Sequence, residues 1–308
     1  MRTCRSVTHP HKVLLLVLLV CLISFPSSAQ KRAAPTASVT ITTQPNAIIW
    51  LDEIRRGVTD QSGRLELTKV SAGRHIVRVR ATGFKEASVP LLAGRRSLTV
   101  KLIKSLDQAE LIFQEAETAR EAARDDESRR RAEELYRNAL KLRPAFPAAR
   151  VGLARVLLDL NKFQDALAEI DSARRARPVY PEASAVEGRI NREAAFTDDA
   201  IQSFRRAIRE AKGFQPEAHV GLARVLEDKG QFAEAEVEFR KAIAQLSDSE
   251  PVIYQLLGAA LEKQQKFKEA VVAYEKYLEL APNGSLAPAI RSMIDQLKRD
   301  AEGQEIIP

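Results

Sequence analysis

Cysteine is nearly missing from this chain. Its 308 residues hold two, Cys4 and Cys21, both within the first 29 positions. Downstream of these no disulfide, thiolate metal site or cysteine nucleophile can form, so the folded part is held by packing. Histidine is equally sparse: beyond the first 29 positions only His75 and His219 remain. They fall in segments of different periodicity, which excludes a histidine-rich metal site. His75 follows a turn and reads as a structural hydrogen-bonding residue; His219 stands where a packing residue is expected. The chain has no Gly-x-Ser-x-Gly elbow, no P-loop and no Gly-x-Gly-x-x-Gly turn. The reading is therefore a non-enzyme with no cofactor and no metal. Neither sign of charge dominates: 48 basic and 41 acidic side chains give +7. The excess is dispersed among acids and does not argue for nucleic acid. The basic run Arg129–Arg131 reads as a solvated helix face beside Asp125, Asp126, Glu133 and Glu134.

No apolar run reaches the roughly 20 residues that span a bilayer. The longest, Val13 to Ile23, follows Arg2, Arg5 and Lys12 and precedes Pro26-Ser27-Ser28-Ala29. A positive region, a short apolar core and small residues form the pattern of a secretory signal, with cleavage expected after Ala29 and an uncleaved anchor as the alternative. Cys21 does not make a lipoprotein site, because bulky Val20 precedes it. Export without disulfides points to the periplasm or envelope of a bacterium. Residues 30–37, with Pro35, read as a linker.

From Ser38 to Ile103 apolar and polar residues alternate: Val39 and Ile41 with Thr40 and Thr42, Val77 and Val79 with Arg78 and Arg80, Leu98, Val100 and Leu102 with Thr99 and Lys101. Period two marks half-buried strands. Turn clusters at 44–46, 60–63, 71–73, 82–83 and 93–94 cut the segment into six or seven short strands, the pattern of a small β-sandwich. Trp50 is expected as its large core residue. Pro45-Asn46-Ala47 before Ile48-Ile49-Trp50-Leu51-Asp52, Gly73-Arg74-His75 before Val77 and Val79, and Gly83-Phe84 are similar to the motifs of the PEGA domain. That resemblance implies a small β-sandwich of bacterial envelope proteins. An immunoglobulin-like or carboxypeptidase-regulatory-like sandwich is the alternative, and it implies the same non-catalytic role.

Beyond residue 104 the period becomes helical and a longer repeat appears. Ala132, Ala166, Ala200, Ala235 and Ala270 are followed four positions on by Tyr136, Ile170, Phe204, Phe239 and Tyr274. Three further on stand Ala139, Ala173, Ala207, Ala242 and Tyr277, and beyond these Pro144, Pro178 and Pro282 close three of the units. Small residues admit a neighbouring helix closely, large ones fill the gap beside them, and proline cannot continue a helix. Leu153, Ala154 and Leu157, Leu222, Ala223 and Leu226, and Leu257, Gly258 and Leu261 fill the helix that precedes each alanine helix. The spacing, close to 34 residues, resembles the tetratricopeptide repeat, a helix–turn–helix unit that stacks to bury a continuous core. About five such units span residues 105–300, with a capping helix at Leu286 to Lys298 and a disordered tail expected over 301–308. The fold expected is thus multidomain: a β-sandwich followed by an α-solenoid.

In this family the first helices line the concave side. Arg155, Arg189 and Arg224 recur there at one position, and a ladder of guanidinium forks suits carboxylates along an acidic peptide. Each has an acid four residues on, Asp159, Glu193 and Asp228, and such pairs would partly neutralise the ladder. The lysine and asparagine set of the family's carboxylate-clamp members is not present. The leading reading is a non-enzymatic envelope adaptor holding a protein or peptide partner. The alternative is an envelope polymer bound by the sandwich, with the repeats as a spacer.

Overall fold

The computed structural model describes residues 36–52, 54–246 and 250–305. The expected signal segment and its cleavage site lie outside them. Among the described residues no helix is long and apolar enough to cross a membrane.

Among the described residues the alternating segment forms seven strands: β1 (Thr36–Thr42), β2 (Ile48–Leu51), β3 (Ile54–Val58), β4 (Arg64–Ser71), β5 (His75–Arg80), β6 (Ala87–Leu91) and β7 (Ser97–Thr99). They make two sheets, ordered β4-β1-β7 and β3-β2-β5-β6. All pairings are antiparallel except β1 with β7. β1 begins inside the stretch expected to be linker. The inward residues of both sheets, Val39, Ile41, Ile49, Leu51, Leu67, Val77 and Val79, are fully buried and form one core. Thr59 is buried with them. Its hydroxyl accepts from the Ala47 amide at 2.8 Å and donates to the Gln44 carbonyl at 2.7 Å. Gly63 closes the turn before β4 at φ +76, and a Cβ there would lie 2.1 Å from the Thr43 carbonyl oxygen.

Trp50 is not in this core. Ile49 and Leu51 both point inward, so the strand period sends Trp50 to the opposite face, where it is half-buried. There it lies opposite Arg78, whose guanidinium stands 4.2 Å from the ring centroid. The side chain's size favours the core; its position in the alternation overrides size.

Eleven helices follow among the described residues: α1 (Gln108–Ala122), α2 (Asp126–Leu142), α3 (Pro147–Asp159), α4 (Phe163–Ala176), α5 (Pro181–Glu193), α6 (Thr197–Glu210), α7 (Pro216–Asp228), α8 (Phe232–Leu246), α9 (Pro251–Lys263), α10 (Phe267–Leu280) and α11 (Ala287–Glu305). They pair as five consecutive hairpins, with α11 packed on α10. The expected solenoid is present. Every repeat alanine from Ala132 to Ala270, and every large residue four positions on, is fully buried. Three of the large residues, Tyr136, Phe204 and Tyr274, sit against glycines of first helices. Phe204 lies between Gly188 of α5 and Gly221 of α7, and a Cβ on either glycine would fall within 2.7 Å of its ring. α11 buries Ala287, Ile290, Ile294 and Leu297 and exposes Arg291, Asp295, Lys298 and Arg299. It therefore caps the stack, and it extends to Glu305, into the stretch expected to be tail.

Two local devices set the hairpins. Pro147, Pro181, Pro216 and Pro251 each open a first helix at its first turn, where the missing N–H has no helical partner to lose. After each of these helices one residue turns left-handed: Asn161 (φ 58), Ala195 (φ 62), Gly230 (φ 74) and Gln265 (φ 60). The next amide then bonds back five residues, as from Lys162 to Leu157 at 2.8 Å and from Phe196 to Asn191 at 2.7 Å. This satisfies the carbonyls of the helix end.

The sandwich is tied to the first hairpin through polar contacts. Gln114 of α1, which is buried, accepts from the Gly83 amide at 2.9 Å and donates to the Phe84 carbonyl at 2.8 Å. Arg80 of β5 lies 3.7 Å from Glu117 and 5.2 Å over the Phe113 ring.

Candidate partner-binding site

Successive first helices touch, α1 with α3, α3 with α5 and α5 with α7, while among the described residues no two second helices approach as closely. The stack therefore bends toward its first helices, whose shared face is the inner one. α7 and α9 approach each other less closely than α3 and α5 or α5 and α7 do.

On the inner face the three arginines have different fates. Arg155 of α3 is half-buried. It donates to Glu182 of α5 at 2.7 Å and lies 3.5 Å from Glu217 of α7. Burial alone would lower its pKa, but Glu182 and Glu217 outweigh it and hold the guanidinium charged. Burial opposes ionisation of Glu182 too, and Arg155 more than compensates, with Arg78 and Arg80 of the sandwich adding to the pull. Arg189 of α5 is 44% exposed and stands 3.8 Å from Glu217. Arg224 of α7 is exposed and has no hydrogen bond or ion pair among the described residues.

The acids four residues on are not the partners. Asp228 pairs instead with Arg192 of α5 at 2.9 Å, and Glu193 with that same Arg192. Apart from Glu193 with its neighbour Arg192, these pairs run between repeats, because the inner face brings first helices together. Glu227, half-buried one turn beyond Arg224, is pushed up to about 6 by burial, only partly offset by Arg224.

The acids that do pair, Glu182 and Glu217, were not among the expected site residues. Each directly follows the proline that opens its helix. The dipeptides Pro181-Glu182 and Pro216-Glu217 were the available clue, and at the same place in α9 the pair is Pro251-Val252.

The remaining chemistry-bearing residues are held structurally. His75 Nδ1 lies 2.5 Å from Asp52, and the buried His219 lies 2.6 Å from Glu238 and 3.3 Å from the Gly213 carbonyl. Among the described residues no group of three histidine, cysteine, aspartate or glutamate side chains could hold a metal ion. Arg129 pairs with Asp126 at 2.8 Å, on the solvated face expected for it.

A stack of helical hairpins whose first helices share one face defines an α-solenoid of helix–turn–helix repeats. Models of the tetratricopeptide repeat match residues 123–190, 197–260 and 251–283, and across that span the chain belongs to the tetratricopeptide-repeat family. No curated protein matches the chain in sequence. Among solved structures it is similar to PilW, described as a widely conserved type IV pilus biogenesis factor, with TM-score 0.56 and 16% identity over 64% of this chain and 89% of that one. It is also similar to Pseudomonas aeruginosa PilF, with TM-score 0.54 and 15% identity over 63% and 86%. A third, a thermophilic tetratricopeptide-repeat protein of Thermus thermophilus, gives TM-score 0.51 and 20% identity over 61% and 98%. At these identities the likeness is one of fold.

Proposed function

We propose that this chain is a non-enzymatic interaction scaffold of the bacterial envelope, exported by its N-terminal segment, that holds a protein partner on the inner face of the repeat array. The carrying observation is the inner face itself: first helices α1, α3, α5 and α7 in successive contact, with charged side chains that the chain's own residues neutralise toward the N-terminal end and leave open at Arg224. Of the arginine ladder, Arg189 and Arg224 are the members available to a partner, since Arg155 is engaged by two glutamates. The PEGA-like sandwich closes the array's first hairpin. Affinity would come from many modest contacts along a preformed surface, which needs little ordering on binding.

The polymer-binding reading requires an exposed aromatic platform on the sandwich. Trp50 carries Arg78 over its ring and Phe84 packs against the sandwich core, so the partner-binding reading is preferred. Affinity capture from envelope extract tests it. The full chain is expected to retain a protein that the Arg189→Glu/Arg224→Glu variant does not, while Trp50→Ala retains it. Capture indifferent to the double substitution would refute the reading. N-terminal sequencing of the exported product, expected to begin at Gln30, tests the export arm.

A further inference from the structure

The inner face contains a template for its own ligand. Arg155, Arg189 and Arg224 share one repeat position; Glu182, Glu217 and Val252 share another, directly after the prolines of α5, α7 and α9. Glu182 reaches Arg155 at 2.7 Å, and Glu217 lies 3.5 Å from Arg155 and 3.8 Å from Arg189. One step along, the carboxylate is missing. Val252 stands at that repeat position, half exposed at 50%, and Arg224, at the repeat position of Arg155 and Arg189, is exposed on a helix that approaches α9 less closely than α5 approaches α7. The acids of α7 do not take over that role, because Asp228 is turned toward Arg192 at 2.9 Å and Glu227 is partly withdrawn into the array. An exposed guanidinium presents forked donors that match a carboxylate in geometry and charge. Val220, one turn before Arg224 on α7, is partly exposed, and Val252 in the first turn of α9 is exposed, so both offer apolar surface.

We propose that the gap between α7 and α9 is a carboxylate subsite. An aspartate or glutamate side chain from an acidic, partly apolar segment of a partner protein takes the position of the missing glutamate and pairs with Arg224. Its neighbouring apolar side chains rest on Val220 and Val252. The subsite extends the ladder that the chain builds for itself in the two preceding repeats. It rests on the scaffold reading and specifies which chemistry that scaffold selects.

The test is selection of random dodecapeptides on the full chain, followed by fluorescence anisotropy of the recovered peptides. Aspartate and glutamate should be enriched over the starting library. Arg224→Gln should weaken binding about tenfold. Val252→Glu, which supplies the chain's own carboxylate opposite Arg224, should weaken it at least as much, whereas Val252→Gln should stay within about threefold of the wild type. Val252 is exposed in the first turn of α9, where glutamate favours the helix, so Val252→Glu should leave the circular dichroism and melting temperature unchanged. Recovered peptides without acidic enrichment, or indifferent to Val252→Glu, overturn the subsite. If those peptides are still displaced by Ala259→Trp, at the repeat position of Arg224 on α9, the inner face binds by other chemistry and the scaffold reading stands. If Ala259→Trp has no effect, or no peptide is recovered, both readings fall.

Discussion

Gly221→Ala isolates the packing on which the array depends. On general grounds the change should help, since alanine is favoured over glycine inside a helix by about 1 kcal/mol. Here the added methyl would lie 2.3 Å from both Cε1 and Cζ of Phe204, against an ordinary carbon–carbon separation of about 3.5–4.0 Å. The ring cannot retreat: Phe204 is fully buried, and Gly188 backs its other edge so closely that a Cβ there would lie 2.7 Å away. Overpacking of this kind costs about 1–3 kcal/mol, and a pinned ring puts the cost near the upper end. Subtracting the propensity gain leaves a net loss of about 2 kcal/mol, or a fall in melting temperature of about 4–8 °C for a chain of this size. Phe204→Leu removes the ring atoms the methyl would meet. In that background Gly221→Ala should be neutral or stabilising, giving a coupling of about 2–3 kcal/mol in the double-mutant cycle. Urea and thermal denaturation of the four proteins measure it. Additive effects, or a rise in stability from Gly221→Ala alone, would refute the packing account.

Other expectations follow from the same structure. Ala235→Leu, at a fully buried helix contact, should cost about 1–3 kcal/mol in a thermal melt. Ala195→Gly, at the left-handed turn with φ 62, should raise stability by about 1 kcal/mol, because only the side chain is strained there; an unchanged or lower midpoint would contradict this. Gln114→Ala removes the bonds to Gly83 and Phe84 and should cost about 1–3 kcal/mol. It should also speed amide exchange at Gly83, whereas unchanged exchange would show that the sandwich is held by other contacts. Burial raises Glu227 from 4.5 to about 6 in the folded chain. A carboxyl raised on folding stabilises fully below its unfolded pKa, and that contribution is lost as pH rises through the folded value. The stability of the wild type relative to Glu227→Gln should therefore fall between pH 4.5 and about 7; a constant difference would show that Glu227 is not perturbed.

The array was legible from the sequence because its packing rule is local and repeated. An alanine, a large residue four positions on and a third residue three further on, alanine in four units and Tyr277 in the fifth, recur in register, and each landed in the core. Pro147, Pro181, Pro216 and Pro251, which open first helices, repeat in the same register, a signal that the alanine spacing left unused. Trp50 shows the limit of reading by size, since its two strand neighbours already assigned the inward face. The ion pairs were not legible. Arg155 and Glu182 stand 27 residues apart, and their meeting depends on how far one hairpin is rotated against the next; periodicity records which face a residue occupies, not that rotation. The same holds for Gln114, whose partners lie about thirty residues earlier, in the sandwich. Whether two modules dock, and through which side chains, leaves no period in either one.

The most direct measurement places a photoactivatable phenylalanine analogue at Val220 on the inner face and, separately, at Val237, which is 50% exposed on second helix α8. Each full-length protein is irradiated in living cells that express it. The account predicts a covalent adduct with a protein partner from position 220 and none from position 237. Equal adducts from both positions, or an adduct from 237 alone, would contradict it.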